Sequence, residues 1–419
     1  MKKHVVITGI GIVSPAGIGK DEHWKNISSG GSFVSEITKF DAGRYPSRIA
    51  GQINGNLDTA VGALNLTPLP KRLLKKIDRF SHLALMASEF AIADAKLNLD
   101  AEDKERVGVF IGNVIGGWEF AEVELRDLYA AGLKEVSPYQ ATAWFPAAPQ
   151  GQISIYYGLL GYSQTIIADS ASGLVSIGSA YRAIQEGEAD VILAGGSEAP
   201  ISPYGLLCCN TSGALTNRNE DPKAAYRPFD KNRDGFAIGE GAGIVILESF
   251  EHAAKRGAKI YGEITGFSMT NDGIHPTKQD VEGRQFARAM QTAIKEAGIA
   301  VDDIDYICAN GSATKEGDIA ETKAIKAVFG KKAYQMSISA PKSAIGNLLG
   351  AAGAVDAATT LLAMENSFVP PTVNLEDKDN ACDLDYTALK GKGHRIKTAL
   401  INSQGRGGIN AVMVLTVLK

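Results

Sequence analysis

The sequence predicts an α/β protein built from two similar halves. Three observations carry this. Short β-branched runs alternate with stretches of helical periodicity. The runs are almost continuously apolar, as strands are when helices cover both faces of their sheet. The chain of 419 residues also exceeds what a single core usually holds.

The first set of strands falls at 5–9, 107–111, 165–168, 191–194 and 243–247, with helical patterns at 82–97 and 174–185. The second set falls at 260–267, 306–309, 398–401 and 412–417, with helices at 286–297 and 319–328. A basic helical connector at 252–259 separates them, so we expect an N-terminal half at 1–251 and a C-terminal half at 252–419. No low-complexity linker divides the two, and no clear residue-level repeat relates them. Gly9-Ile10-Gly11 follows the first run as a dinucleotide-binding turn would. The third glycine is missing and Pro15 stands where the helix should continue, so this reads as a tight turn after the first strand.

Composition narrows the class. The chain is 45% hydrophobic and 21% charged, with a net charge of −4, which disfavours nucleic acid or an anionic membrane as partner. Four cysteines, two of them the adjacent Cys208 and Cys209, form no disulfide framework and fit a reducing compartment. Met1-Lys2-Lys3 and the apolar residues after it superficially resemble a signal peptide. Gly9, Gly11, Ser14 and Pro15 interrupt that run and no small-residue cleavage site follows, so a first strand is expected. The longest apolar stretch, 348–364, contains Asp356 and two threonines and reads as a buried helix. A cytoplasmic protein with no metal is expected.

Ser170 stands out chemically. It follows a strand and opens a helix, where the positive end of the helix dipole would favour a thiolate. A serine gains little there, because its hydroxyl needs an adjacent base. The plain alternative is an N-cap, a position serine fills well. The pattern Gly-x-Ser-x-Gly is absent, so a hydrolase elbow is not supported. The histidines are His4, His23, His82, His252, His275 and His394. Of these, His275 in the loop 271–277 could approach a pocket, although such a histidine is more often a surface residue.

Three segments resemble the frame of a carbon–carbon condensing enzyme: Ala168-Asp169-Ser170-Ala171-Ser172-Gly173, Ala309-Asn310-Gly311-Ser312-Ala313-Thr314 and Pro341-Lys342-Ser343-Ala344-Ile345-Gly346-Asn347. The opening 5–15, the signature Arg227-Pro228-Phe229-Asp230 through Gly243, and Asn347-Leu348-Leu349-Gly350-Ala351-Ala352-Gly353 resemble β-ketoacyl-ACP synthases from end to end. That resemblance implies the thiolase fold, two similar halves in a five-layered αβαβα architecture. It also implies substrates carried on the phosphopantetheine of an acyl carrier protein, with no separate cofactor. In that family the three segments supply a cysteine and two histidines. Here the positions hold Ser170, Asn310 and Asn347. Asparagine can donate hydrogen bonds as histidine does, but it cannot exchange a proton near neutral pH.

Within the family, Gly116-Gly117-Trp118-Glu119-Phe120, Ala143-Trp144-Phe145 and Gly151-Gln152-Ile153 resemble the chain-length factors of type II polyketide synthases. These are paralogues that lack the catalytic residues, pair with an active ketosynthase and shape the tunnel holding the growing chain. Arg406 stands where active members usually carry a phenylalanine gate. Many chain-length factors carry glutamine at the position of Ser170, so the serine speaks against a priming decarboxylase. The resemblance implies a tunnel gate at Trp118, Ala121 and Leu125, which share one helix face. It implies a buried ion network of Lys342, Asp318 and Glu321. Two other readings stand beside this one: an active condensing or acyl-transfer enzyme using Ser170, and a scaffold subunit only.

Overall fold

The computed structural model describes residues 2–54, 57, 62, 66 and 68–418. Strands β1 (Val5–Ser14), β2 (Val107–Gly112), β3 (Gln164–Ile166), β4 (Val191–Glu198) and β5 (Gly241–Ser249) come from the first part of the chain. Strands β6 (Gly262–Asn271), β7 (Tyr306–Cys308), β8 (Ser337–Ser339), β9 (Thr398–Gly405) and β10 (Ile409–Thr416) come from the second. Their spatial order is β3-β2-β4-β5-β1-β6-β10-β9-β7-β8, with the short strand Gly17–Ile18 hairpinned onto β1.

This order is a palindrome. In each set the first strand pairs antiparallel with the fifth, and the fifth antiparallel with the fourth. The fourth runs parallel to the second, and the second parallel to the third. The two sets meet where Val5 to Ile7 of β1 pair antiparallel with Ile264 to Gly262 of β6. One topology is thus used twice, although the sequence shows no repeat.

The main helices are α1 (Arg79–Ala95), α2 (Trp118–Ala131), α3 (Ala148–Tyr157), α4 (Ser172–Glu186), α5 (Arg284–Ala297), α6 (Lys315–Phe329) and α7 (Ala352–Asn366). Helices α4 and α7 pack on each other and on strands of both sets. Helices α1 and α3 cover the outer face of the first set, α5 and α6 that of the second. Alternation along the strands fills each layer. Ile192, Val245, Ile401 and Met413 turn inward toward α4 and α7, whereas Leu193, Ile244, Leu400 and Val412 turn outward. The layers run helix, sheet, helix, sheet, helix, which is the thiolase fold.

The structure corrects the reading of Gly9 and Gly11. No turn follows residue 9; β1 continues to Ser14. A Cβ on Gly9 would lie 2.3 Å from the Ala91 carbonyl oxygen, and one on Gly11 would lie 1.8 Å from that of Ala87. The glycines are there to let α1 lie directly against the strand. Strand β8 was not foreseen, because Ser-Ile-Ser is too short and too polar to show a pattern. The expected connector appears as the helix Phe250–Lys255.

Candidate functional site

Ser170, Asn310 and Asn347 meet in one cavity of about 720 Å³, whose wall also includes Leu349, Gln404 and Arg406. Each of the three arrives on its own anchored turn. Ser170 lies between β3 and α4, and Asp169 before it adopts the left-handed conformation (φ 49°). Ser172 fixes this turn: its Oγ accepts from the Ala168 N–H at 2.8 Å and lies 2.6 Å from the Asp169 carbonyl oxygen. The N-cap of α4 is Ala171, so Ser170 is not the cap residue; it lines the cavity instead.

Asn310 follows β7. Its backbone N–H and that of Gly311 both donate to the buried Glu321 carboxylate, at 2.8 and 2.9 Å. Asn402 donates to the same carboxylate at 2.9 Å. Asn347 is held by backbone bonds to Ala237 and Gly239, both 2.8 Å. The side-chain orientations are set by backbone donors. Asn310 Oδ1 accepts from the Gln404 N–H at 3.0 Å, and Asn347 Oδ1 accepts from the Leu349 N–H at 2.9 Å. Each amide therefore keeps only its Nδ2 donor for the cavity.

The charged residues below the site do not pair as one network. Lys342 pairs with Asp356 at 2.6 Å, both nearly fully buried. Asp318 pairs with the buried Arg233 at 3.2 Å and accepts from the Phe229 and Ala313 N–H groups at 2.7 and 3.0 Å. Glu321 has the three donors already named. Lys342, Asp318 and Glu321 are all buried, yet none is ion-paired with another of the three. They hold the floor and the two asparagine turns in place.

Three contributors were not found from the sequence. Glu198, at the end of β4, accepts from the N–H groups of Val114, Ile115 and Gly350 at 2.7, 3.1 and 3.1 Å. Burial pushes its carboxyl up to about 8 against those three donors. A lone acid ending an apolar strand was the available signal. Gln404 lines the cavity, and its buried Oε1 has no partner among the described residues. Asp169 binds Arg406, its Oδ2 accepting the backbone N–H at 2.8 Å and its Oδ1 lying 3.4 Å from the guanidinium Nε.

No base is at hand. Among the described residues no histidine lines this cavity. His275 is exposed, and its Nδ1 accepts from the Thr277 N–H at 3.1 Å. His23 is fully buried between Ser14 and Thr359, and burial lowers its pKa to about 3. Among the described residues no cluster of histidine, cysteine and acids has the makings of a metal site.

The proposed gate residues lie elsewhere. Trp118 is half-buried, its ring 4.2 Å from that of Tyr204 and 6.0 Å from that of Trp144. Ala121 is buried and Leu125 is 37% exposed. None of the three lines the cavity that holds Ser170. Among the described residues no helix is long and apolar enough to cross a membrane.

A thiolase fold with three converging turns, at the positions of a nucleophile and two donors, defines the class of carbon–carbon condensing proteins. The chain belongs to the β-ketoacyl synthase family. The family's N-terminal domain profile matches residues 2–253 and its C-terminal domain profile matches 261–376. It is 39% identical over 415 residues to the 3-oxoacyl-[acyl-carrier-protein] synthase 2 of Coxiella burnetii, covering 99% of each chain. Among solved structures it resembles a type II polyketide ketosynthase in complex with its acyl-carrier protein and bound to the hexaketide (35% identity, TM-score 0.91, both chains fully covered). It also resembles the ishigamide ketosynthase/chain length factor (30% identity, TM-score 0.91, both chains fully covered). Ketosynthases of this family act on substrates held on the phosphopantetheine of an acyl carrier protein and need no separate cofactor.

Proposed function

We propose that this chain is a non-condensing paralogue that pairs with an active ketosynthase and shapes the tunnel limiting polyketide chain length, as a chain-length factor does. The observation that carries this is the cavity itself. Where the family has a cysteine and two histidines it holds Ser170, Asn310 and Asn347, with no histidine among the described residues that line it. Without a base the serine hydroxyl is a poor nucleophile, and groups that act as a unit are not replaced by what remains. The partners are the active ketosynthase and an acyl carrier protein. In this reading the chain divides at 251/252, and Trp118, Ala121 and Leu125 form the gate on a face completed by the partner.

The likeness to a ketosynthase/chain length factor supports this reading at the level of the fold. A second reading has the stronger backing from overall identity. The curated relatives, 39% identical along the whole chain, are named as synthases, which favours an active condensing or acyl-transfer enzyme using Ser170. What weighs against it is chemical: no histidine lines the cavity beside the hydroxyl, and the adjoining Asp169 carboxylate is engaged by Arg406. A scaffold that only stabilises its partner would bind no acyl chain of defined size.

Intact-protein mass spectrometry after incubation with acyl- and malonyl-carrier protein separates the first two readings. We expect no adduct on Ser170; a stoichiometric acyl adduct there establishes the enzyme. Co-expression with a ketosynthase followed by size-exclusion chromatography should give a 1:1 complex, and a stable monomer or homodimer indifferent to the partner refutes the pairing.

A further inference from the structure

The turn that carries Ser170 and the end of β9 are stitched together at three points. Ser403 Oγ donates to the Ser170 carbonyl oxygen at 3.3 Å. Gly405 lies so close that a Cβ there would come within 2.6 Å of the Ala168 carbonyl oxygen. Arg406 then gives its backbone N–H to Asp169 Oδ2 and sets its guanidinium against Oδ1. The contact spans 237 residues of sequence and lies at the mouth of the cavity.

Acyl transfer to a nucleophile at position 170 would place negative charge on the carbonyl oxygen under attack. Free N–H donors must be aimed at that oxygen to stabilise it. Arg406 lines the cavity together with Ser170, and its N–H is already spent on a carboxylate. That carboxylate also sits one residue from the nucleophile position, where fixed negative charge disfavours an anion. Arg406 offsets it in part. Burial is the main cause that raises the Glu198 carboxyl and the Cys209 thiol, and Asp169 adds to both; Arg218, Lys231, Arg233 and Lys315 also stand in the cavity wall.

We propose that the Asp169–Arg406 pair is a second block on condensation, independent of the missing cysteine and histidines. It consumes a donor that an oxyanion would need and holds an acid beside position 170. Restoring a thiol and two imidazoles alone therefore leaves the site unable to take an acyl group at speed. This rests on the non-condensing reading above, and it assigns Asp169 a role that its favourable place before a helix N-terminus does not require.

Two measurements test it on the full-length chain, in a Cys208→Ser background that removes the exposed thiol. The first compares Ser170→Cys with Asp169→Asn/Ser170→Cys by the pH profile of iodoacetamide alkylation. Removing the charge should lower the midpoint by about one unit, or speed alkylation about tenfold below it. Equal midpoints overturn the electrostatic half of the proposal.

The second follows transfer from hexanoyl-pantetheine by intact mass. The introduced thiolate attacks the thioester carbonyl, a new S–C bond forms, the bond to the pantetheine sulfur breaks, and pantetheine leaves as its thiol. Ser170→Cys/Asn310→His/Asn347→His should acylate slowly, and adding Asp169→Ala should raise the rate about tenfold or more. Equal rates overturn the proposal. If the multiple variant does not fold, the alkylation profile decides alone. Acylation of the unmodified chain at Ser170 would instead refute the non-condensing reading, and the comparison among variants would stand apart from it.

Discussion

The two sets of strands share one topology and end differently. Between β7 and β8 the chain runs through α6, and β8 is buried in full. The segment after α7 closes that edge, with the Ala340 N–H donating to Thr372 Oγ1 at 2.9 Å. Between β2 and β3 lies a longer excursion through α2 and α3, and several of its apolar side chains face outward while Ile153 and Leu159 are buried. Tyr129, Leu133, Ile155 and Leu160, and Ile167 just after β3, are all more than 60% exposed. Strand β3 is only half-buried at the free end of the sheet, and Thr165 Oγ1 on it is buried without a partner among the described residues. An open strand edge beside clustered apolar groups is a template for association. The same fold thus seals itself in the second half and leaves an open apolar edge in the first.

The largest test of this contrast lies under the sealed half. Lys342→Met strands the buried Asp356 carboxylate, which should cost about 3–5 kcal/mol in urea unfolding. Lys342→Met/Asp356→Leu removes both charges and should recover most of that loss. If the single variant is as stable as the parent, the floor of the site is not closed against water as described.

The open half should respond differently. Ile167→Asp should leave the fold intact and weaken pairing with a ketosynthase by about 2–4 kcal/mol, roughly 30- to 1000-fold. Sedimentation velocity would show the complex dissociating. Pairing unchanged by this acid means that the β3 edge is not the interface.

A smaller effect sharpens the role of α2. Leu125 is exposed in the isolated chain, so Leu125→Ala should change stability by no more than about 0.5 kcal/mol. Trp118→Ala removes half-buried rings and should cost on the order of 1–2 kcal/mol. Both should lengthen the product of the reconstituted synthase. Unchanged products from variants that fold and pair would place the length stop elsewhere.

Much of this was legible in the sequence, for identifiable reasons. The apolar runs of β4, β5, β9 and β10 mark strands because both faces are buried and no polar residue interrupts them. Ser170, Asn310 and Asn347 were found because the segments around them resemble a known frame. What escaped depended on long-range contact. Gly9 and Gly11 suggest a turn until α1 is seen lying on them. The Asp169–Arg406 pair joins residues 237 apart in the chain, and although Arg406 was noted at the gate position nothing local tied it to Asp169. The outer face of α2 has the spacing of an ordinary core helix, and only the layered fold shows that Leu125 stays 37% exposed among the described residues.

The junction between the halves gives the smallest and most specific expectation. Glu248 on β5 is buried beside Thr8 of β1 and meets His252 Nδ1 at 2.6 Å and Arg256 Nε at 2.8 Å. His252 Nε2 lies 2.9 Å from Glu102. An imidazole between two carboxylates is held protonated: the bond to Glu248 raises its pKa, burial opposes this, and Glu102 adds to it. Burial would raise the Glu248 carboxyl, but the bonds from Arg256, His252 and Thr8 outweigh it and hold its pKa at about 2. The signs follow from linkage. The histidine's contribution is full below its ordinary value of 6.5 and is lost as pH rises through the elevated one. The glutamate's contribution is full above 4.5 and is lost as pH falls toward 2. Stability from this cluster should therefore peak between those values and decline on the alkaline side by no more than about 1 kcal/mol, since His252 is partly exposed. His252→Gln should flatten the alkaline decline of the melting temperature and leave the acid limb in place. If the variant and the parent decline in parallel above pH 6.5, the clip between β5 and its connector does not carry the charge assigned to it.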